Sequence, residues 1–165
     1  MEPKGKQKRP VTPEKAMERL AALCARSEQC SYDLREKLRK MDLAPEESED
    51  IMTRLTEMKF VDDTRYAGAL ARDKVRFSNW GKRKIREYLV TKRIPASDID
   101  AALAGIDPED YKKALIAAAK AKVKTLDLKN FDHRTKLVKH LMSRGFEPNI
   151  AIKITQEAVK RLPEE

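Results

Sequence analysis

Apolar residues recur along this chain at spacings of three and four, and each run is closed by Pro, Gly or a short polar cluster. That is the signature of short helices, each buried along one face. Thr12-Pro13-Glu14 reads as an N-cap, a first-turn proline and an acid at the positive helix end, followed by the stripe Met17, Leu20, Ala21 and Cys24. After Gln29-Cys30, Ser31 is expected to cap a second helix to about residue 41, with Leu34, Leu38 and Met41 inward. Ala44-Pro45-Glu46-Glu47 opens a third, with Ile51, Met52, Leu55 and Met58 inside. Asp62 or Asp63 then caps a fourth, whose stripe is Tyr66, Ala67, Leu70, Ala71 and Phe77. Ser78, Asn79 and Gly81 break it, and a fifth helix is expected over 82–93 with Ile85, Tyr88 and Leu89 on one face. Pro95-Ala96-Ser97-Asp98 starts a sixth, packed through Ile99, Ala102 and Leu103. Beyond Gly105-Ile106-Asp107-Pro108, a long helix over about 109–125 turns Tyr111, Leu115, Ala118, Ala119 and Val123 inward. A further helix spans 132–144, Gly145 follows where a helix C-cap glycine belongs, and Pro148 starts a last one with Ile150, Ile154 and Val159.

One spacing repeats. Leu34, Leu38 and Leu43 are followed 51 positions later by Ile85, Leu89 and Ile94, and 52 positions after that by Leu137, Leu141 and Phe146. Each triplet places a seam on a helix and a closing anchor just past its end. The pattern predicts an all-α fold of tandem three-helix repeats, about nine helices in three units, each too small to bury its own seam well. The expected units are 13–59, 60–106 and 107–165, preceded over 1–12 by a disordered basic arm (MEPKGKQKRPVT). Lys4, Lys6, Lys8 and Arg9 of that arm serve either to hold phosphates or simply to solubilise it. The competing reading is a nine-helix globule whose short helices share a spacing.

Composition narrows the class. Aromatics make up 5% of the 165 residues, too few for a thick β-sandwich core, while 41% hydrophobic content supports a folded chain. The net charge of +9 favours a polyanion, a nucleoprotein or an acidic membrane surface as partner. Cys24 and Cys30 match no zinc spacing and read as free thiols of a reducing cytoplasm. No apolar run is long enough to span a bilayer and no signal-peptide pattern opens the chain, so a cytoplasmic protein is expected.

No catalytic motif for phosphate loops, dinucleotides, metalloproteases or hydrolase serines is present, so an enzyme is not expected, nor a cofactor or metal. Asp62-Asp63 would diverge by about 100° on a helix start and reads as caps rather than metal ligands. Cys24 reads as core, and His133 and His140 as structural or exposed. What stands out is a basic cluster: Arg72, Lys74, Arg76, Lys82, Arg83, Arg86 and Arg93, against Asp73 and Glu87, with Trp80 between its two halves. Cations flanking an aromatic suit a phosphate backbone, the ring stacking on a base, although Trp80 equally suits plugging a gap between two helices. Acids also cluster, at Asp42, Glu46, Glu47, Glu49 and Asp50 and again at Asp98, Asp100, Asp107, Glu109 and Asp110. Such a mixed surface suits a protein partner that itself holds DNA better than one coating DNA uniformly.

The central block carries a resemblance. Phe60-Val61-Asp62-Asp63, Arg65-Tyr66-Ala67, a basic helix end, then Gly81, Ile85 and Leu89 at four-residue spacing and a close at Lys92 and Ile94 is similar to the RecX family. Arg26, Ser27, Ser31, Leu34, Lys37 and Leu38 before it, and Lys136 to Phe146 after it, extend the likeness over about 16–159. The resemblance implies an elongated, curved array of three-helix repeats. It also implies a non-enzymatic modulator, chiefly an inhibitor, of the RecA recombinase, acting as a monomer in the groove of the RecA–single-stranded DNA filament. Such a protein limits filament growth, ATP turnover and strand exchange. A helix-turn-helix-like module acting directly on naked DNA, and a scaffold binding only protein, are the alternatives. Two positions depart from the family pattern. Arg93 stands where Gly is usual, so its helix is expected to end differently, and the loop Ser78-Asn79-Trp80-Gly81-Lys82 lacks the usual Pro.

Overall fold

The computed structural model describes residues 10–162; residues 1–9 of the expected basic arm and residues 163–165 lie outside the described residues. Among the described residues the fold is all-α, with nine helices and no strand. They are α1 (Pro13–Arg26), α2 (Ser31–Arg39), α3 (Pro45–Glu57), α4 (Asp63–Ser78), α5 (Lys82–Thr91), α6 (Ala96–Ala104), α7 (Pro108–Val123), α8 (Phe131–Ser143) and α9 (Pro148–Lys160). The chain divides after Tyr66 into two compact units. In the first, α1 and α2 both pack on α3; in the second, α5 packs on α6, and α7, α8 and α9 pack on one another.

Side-chain caps set where the helices begin. The Thr12 hydroxyl accepts from the Lys15 N–H at 3.3 Å, as its sequence signature predicts. Asp107 accepts from the N–H groups of Glu109 and Asp110, and Asn130 from those of Asp132 and His133, so α7 and α8 each start one residue earlier than the apolar pattern suggests. Ser31 is not the cap of α2 but its first helical residue. Its N–H donates to Asp63 Oδ1 at 2.7 Å and its hydroxyl donates to Asp63 Oδ2. Asp62 meanwhile caps α4, accepting from the Arg65 N–H at 2.9 Å. The adjacent carboxylates therefore serve two different helices. Asp63→Ala should lower the stability of the protein by about 2 kcal/mol, because it strands two donors at a partly buried helix end, whereas Asp62→Ala should cost about 1 kcal/mol. Equal losses in urea denaturation would contradict this division.

The first unit is closed around Leu20, Leu34, Leu38, Ile51, Met52, Leu55 and Val61, with Cys24, Leu43 and Phe60 against them. Met58, expected inside, is 58% exposed. It sits just past the last turn of α3, where Lys59 takes a left-handed conformation (φ 58°) and brings the Phe60 N–H to Leu55 O at 2.9 Å. The anchors of that turn are thus Phe60 and Val61. Phe77 is also a correction, being 82% exposed. The seam of α4 runs through Ala67, Ala71 and Val75, and a residue two positions past Val75 is turned about 200° away from it. In α9 the deepest positions are Ala151 and Thr155, with Ile150, Ile154 and Val159 half-buried; the Thr155 hydroxyl satisfies itself on Ala151 O at 2.8 Å.

The repeating triplets have a common backbone device. Asp42 (φ 57°), Arg93 (φ 56°) and Gly145 (φ 94°) each precede the closing anchor, Leu43, Ile94 or Phe146. The Ile94 N–H then bonds Leu89 O at 3.2 Å and the Phe146 N–H bonds Leu141 O at 3.1 Å, the six-to-one bond of a Schellman ending. Arg93 therefore does not make its helix end differently: burial of Ile94 holds a non-glycine residue in the left-handed region. Such a residue carries strain of about 1–2 kcal/mol, part of which a glycine's greater unfolded-state freedom cancels. Arg93→Gly should accordingly raise stability by about 0.5–1 kcal/mol, read as a higher urea midpoint at unchanged slope.

Candidate functional site

The candidate face is built on the end of α4, the loop 79–81 and α5. Asn79 turns the chain at φ 51°, and the Trp80 N–H returns to Lys74 O at 3.1 Å. The loop is then fastened to the end of α8. The Gly81 N–H donates to Arg144 O at 2.8 Å, the Arg83 N–H donates to Gly145 O at 3.0 Å, and the Arg144 guanidinium donates to Ser78 O. At this crossing there is no room for side chains: a Cβ on Gly81 would lie 2.2 Å from the Gly145 carbonyl carbon and the Phe146 nitrogen. Gly81, read from sequence as a breaker, is thus a point of backbone-on-backbone packing.

Tyr111 completes the support. Its hydroxyl accepts from the Lys82 N–H at 3.1 Å and donates to Glu147 Oε2 at 2.6 Å, while its ring leans on Phe146 at 5.5 Å. Burial, reinforced by the bond to Glu147, pushes its hydroxyl well above the usual tyrosine range, so it stays protonated and keeps donating. Three helices consequently hold the start of α5 in place.

On this scaffold the predicted basic residues separate into distinct groups. Arg76 is committed to Asp110 (Nε to Oδ2, 2.6 Å) and Arg86 to Asp100 (2.6 Å), so neither presents a bare charge. The Lys82 ammonium lies over the Tyr111 ring at 5.0 Å. Lys74 and Lys84 place their ammonium groups 4.8 and 4.6 Å from the centre of the Trp80 ring, which meets Tyr88 edge-on at 5.9 Å and 69°. Lys92 covers Tyr88 in the same way at 5.4 Å. Arg72 and Arg83 are exposed and, among the described residues, form no ion pair. Arg93 is exposed at the far end of α5.

The Trp80 ring is half-buried against Tyr88, in keeping with the gap-filling reading, and two cations lie over it. Lys84 and Tyr88 escaped the sequence reading as site residues, and Lys92 appeared only in the family motif. Their four-residue spacing from Trp80 through Lys92 was the available signal, because it places them in one row along a helix. Cations held over aromatic faces are positioned before any ligand arrives, which suits them to phosphate or carboxylate groups.

The family-motif residues otherwise work inside the fold. Ile85 and Leu89 are fully buried, Tyr66 is buried, and the Arg65 guanidinium donates to Glu28 Oε1 at 2.6 Å and to Lys59 O at 3.2 Å. Cys24 and Cys30 are free, and burial pushes both thiols up, away from the reactive thiolate form. Burial and the nearby Lys122 and Arg144 lower the His140 imidazole. Among the described residues no group of His, Cys, Asp and Glu is arranged to hold a metal ion, and no helix is long and apolar enough to cross a membrane.

Comparison with known proteins gives a consistent result. The family model described as RecX, second three-helix domain, matches residues 62–103, which include the Gly81 crossing and all of α5. A regulatory protein RecX of Vibrio parahaemolyticus is 30% identical over 140 residues, covering 85% of this chain and 89% of that protein. One from Enterococcus faecalis is 30% identical over 127 residues, covering 73% of this chain; the match spans about half (48%) of that longer relative. The crystal structure of RecX from Lactobacillus salivarius shares the fold, with a TM-score of 0.76 over 91% of this chain and 97% of that one at 17% identity. The chain belongs to the RecX family of regulatory proteins.

Proposed function

We propose that this protein modulates the RecA recombinase without catalysing a reaction itself. It binds as a cytoplasmic monomer in the groove of the RecA–single-stranded DNA filament, with its helices acting as three repeats over 13–59, 60–106 and 107–165. There it limits filament growth, and by holding neighbouring protomers in one arrangement it reduces ATP turnover and strand exchange. Family membership supports the partner. The observation that carries the reading is the mixed surface formed by α4, α5, α6 and the start of α7. The cations around Trp80 are held ready for phosphate or carboxylate groups, while Asp100 and Asp110 neutralise the neighbouring arginines. A face of both signs fits a nucleoprotein better than naked DNA.

The test is the steady-state ATPase of RecA on single-stranded DNA, titrated with this protein below the RecA concentration. Strong inhibition at substoichiometric amounts is the expected result, because one bound molecule would act on many protomers. Inhibition only when DNA sites are saturated would instead identify a competitor for bare DNA.

A further inference from the structure

A second surface lies on helices that the Trp80 face does not use. Between α8 and α9 the structure holds an open cleft of about 640 Å³. Val138 and Val159 line it half-buried, and Phe131 and Ile152 stand at its edge 73% and 45% exposed. Large apolar side chains left this open beside a groove mark a place where another molecule can bury them.

The polar groups of the cleft say what kind of molecule. Thr135 and Thr155 donate their hydroxyls to the carbonyls of their own helices, at Phe131 O and Ala151 O, and so ask nothing of a partner. Arg134 and Lys160 supply positive charge, and among the described residues no carboxylate lines the cleft. Neither forms an ion pair among the described residues. The Arg134 guanidinium donates from one nitrogen to Lys129 O at 3.1 Å, but its Nε is shielded from solvent and has no hydrogen-bond acceptor. What the cleft offers a partner is therefore the positive charge of Arg134 and Lys160, which a carboxylate complements.

We infer that the α8–α9 cleft is a docking groove for an acidic amphipathic helix, which lays apolar side chains on Val138, Ile152 and Val159 and sets a carboxylate against Arg134 and Lys160. Two walls of helix with an apolar floor and a cationic rim suit a helix lying in a groove. Nucleic acid would match the charge and offer a base to stack on Phe131, but it would leave the aliphatic Ile152, Val138 and Val159 without an apolar counterpart. The inference is independent of the proposed action on RecA, and its test contains no recombinase.

The probe is a fluorescein-labelled synthetic helix of Leu and Glu with leucines at three- and four-residue spacing, read by anisotropy on the 165-residue chain. Its controls are the same peptide with Lys for Glu, one with Ala for Leu, and labelled oligo-dT. The Leu/Glu helix should bind at least about tenfold more tightly than either control peptide. Ile152→Glu and, separately, Lys160→Glu should each weaken it about tenfold or more while circular dichroism stays unchanged. Both side chains are exposed, so neither change threatens folding. Amide shift changes confined to α8 and α9 would support the groove. Equal binding of the three peptides, insensitivity to both substitutions, or an oligo-dT affinity that alone responds to them would overturn it.

Discussion

Gly81→Ala should destabilise the second unit by about 3–4 kcal/mol. The added Cβ would meet backbone atoms of Gly145 and Phe146 at 2.2 Å, and backbone cannot rotate away as a flexible side chain can. Relieving the clash means parting the strand of contacts that carries the Gly81 N–H to Arg144 O and the Arg83 N–H to Gly145 O. Those are the bonds that locate α5, so the Trp80 platform should loosen together with the stability. A melting temperature lower by about 10 °C is the corresponding thermal reading. Gly105→Ala is the control. That glycine is exposed at φ −80°, its added Cβ would meet only the Ala101 and Ala102 carbonyls at 3.4 and 3.6 Å, and the change should be neutral or slightly stabilising. A Gly81→Ala protein as stable as the parent would mean that the crossing is not as close as described.

The second large effect concerns activity. Neutralising Lys74, Lys84 and Arg83 together to Gln should raise the concentration needed for half-inhibition of RecA ATPase by more than about tenfold. Each lost cation removes a separate charge contact worth on the order of 1 kcal/mol at moderate salt. Arg76→Gln with Arg86→Gln should change it much less, since Asp110 and Asp100 already neutralise these two side chains. Charge alone would make the two sets similar, so their difference tests the geometry. Circular dichroism and urea midpoints of both proteins would separate lost contact from lost folding. If the Arg76 and Arg86 pair carried the larger loss, those ion pairs would have to open on binding, and the assignment of the face would be reversed.

Much of this fold was legible in local pattern. Helix starts at Thr12-Pro13 and Ala44-Pro45, the glycine ending at Gly145 and the triplet ending in Phe146 all follow from rules that span a few residues. Such rules cannot see partners distant in sequence, and the misreadings are of that kind. Ser31 looked like a cap because serine usually is one, yet the acceptor for its helix comes from Asp63, 32 residues on. Arg93 looked unable to copy a glycine ending, yet burial of Ile94 and its bond to Leu89 O outweigh the strain of one left-handed residue. Phe77 is the exception, a local error: rough helical spacing puts it on the stripe, whereas the angle set by Val75 turns it outward.

The candidate site divides along the same line. Its location was readable, since a basic run around one tryptophan is visible in any listing of the residues. Its internal ranking was not. Which cations are spent on Asp100 and Asp110, and which rest on Trp80 and Tyr88, depends on distances between helices rather than on spacing within them. By itself, then, the sequence determined the helical class, the nine helices of the described residues with most of their seam positions, the excess of positive charge and the family. Those properties follow from local backbone preference, side-chain periodicity and composition. Only the tertiary structure decided that Gly81 and Gly145 meet backbone to backbone, that one acidic pair caps two helices, and which charges remain to be offered. Each of these depends on atoms brought within a few ångströms by packing, which no short-range pattern encodes.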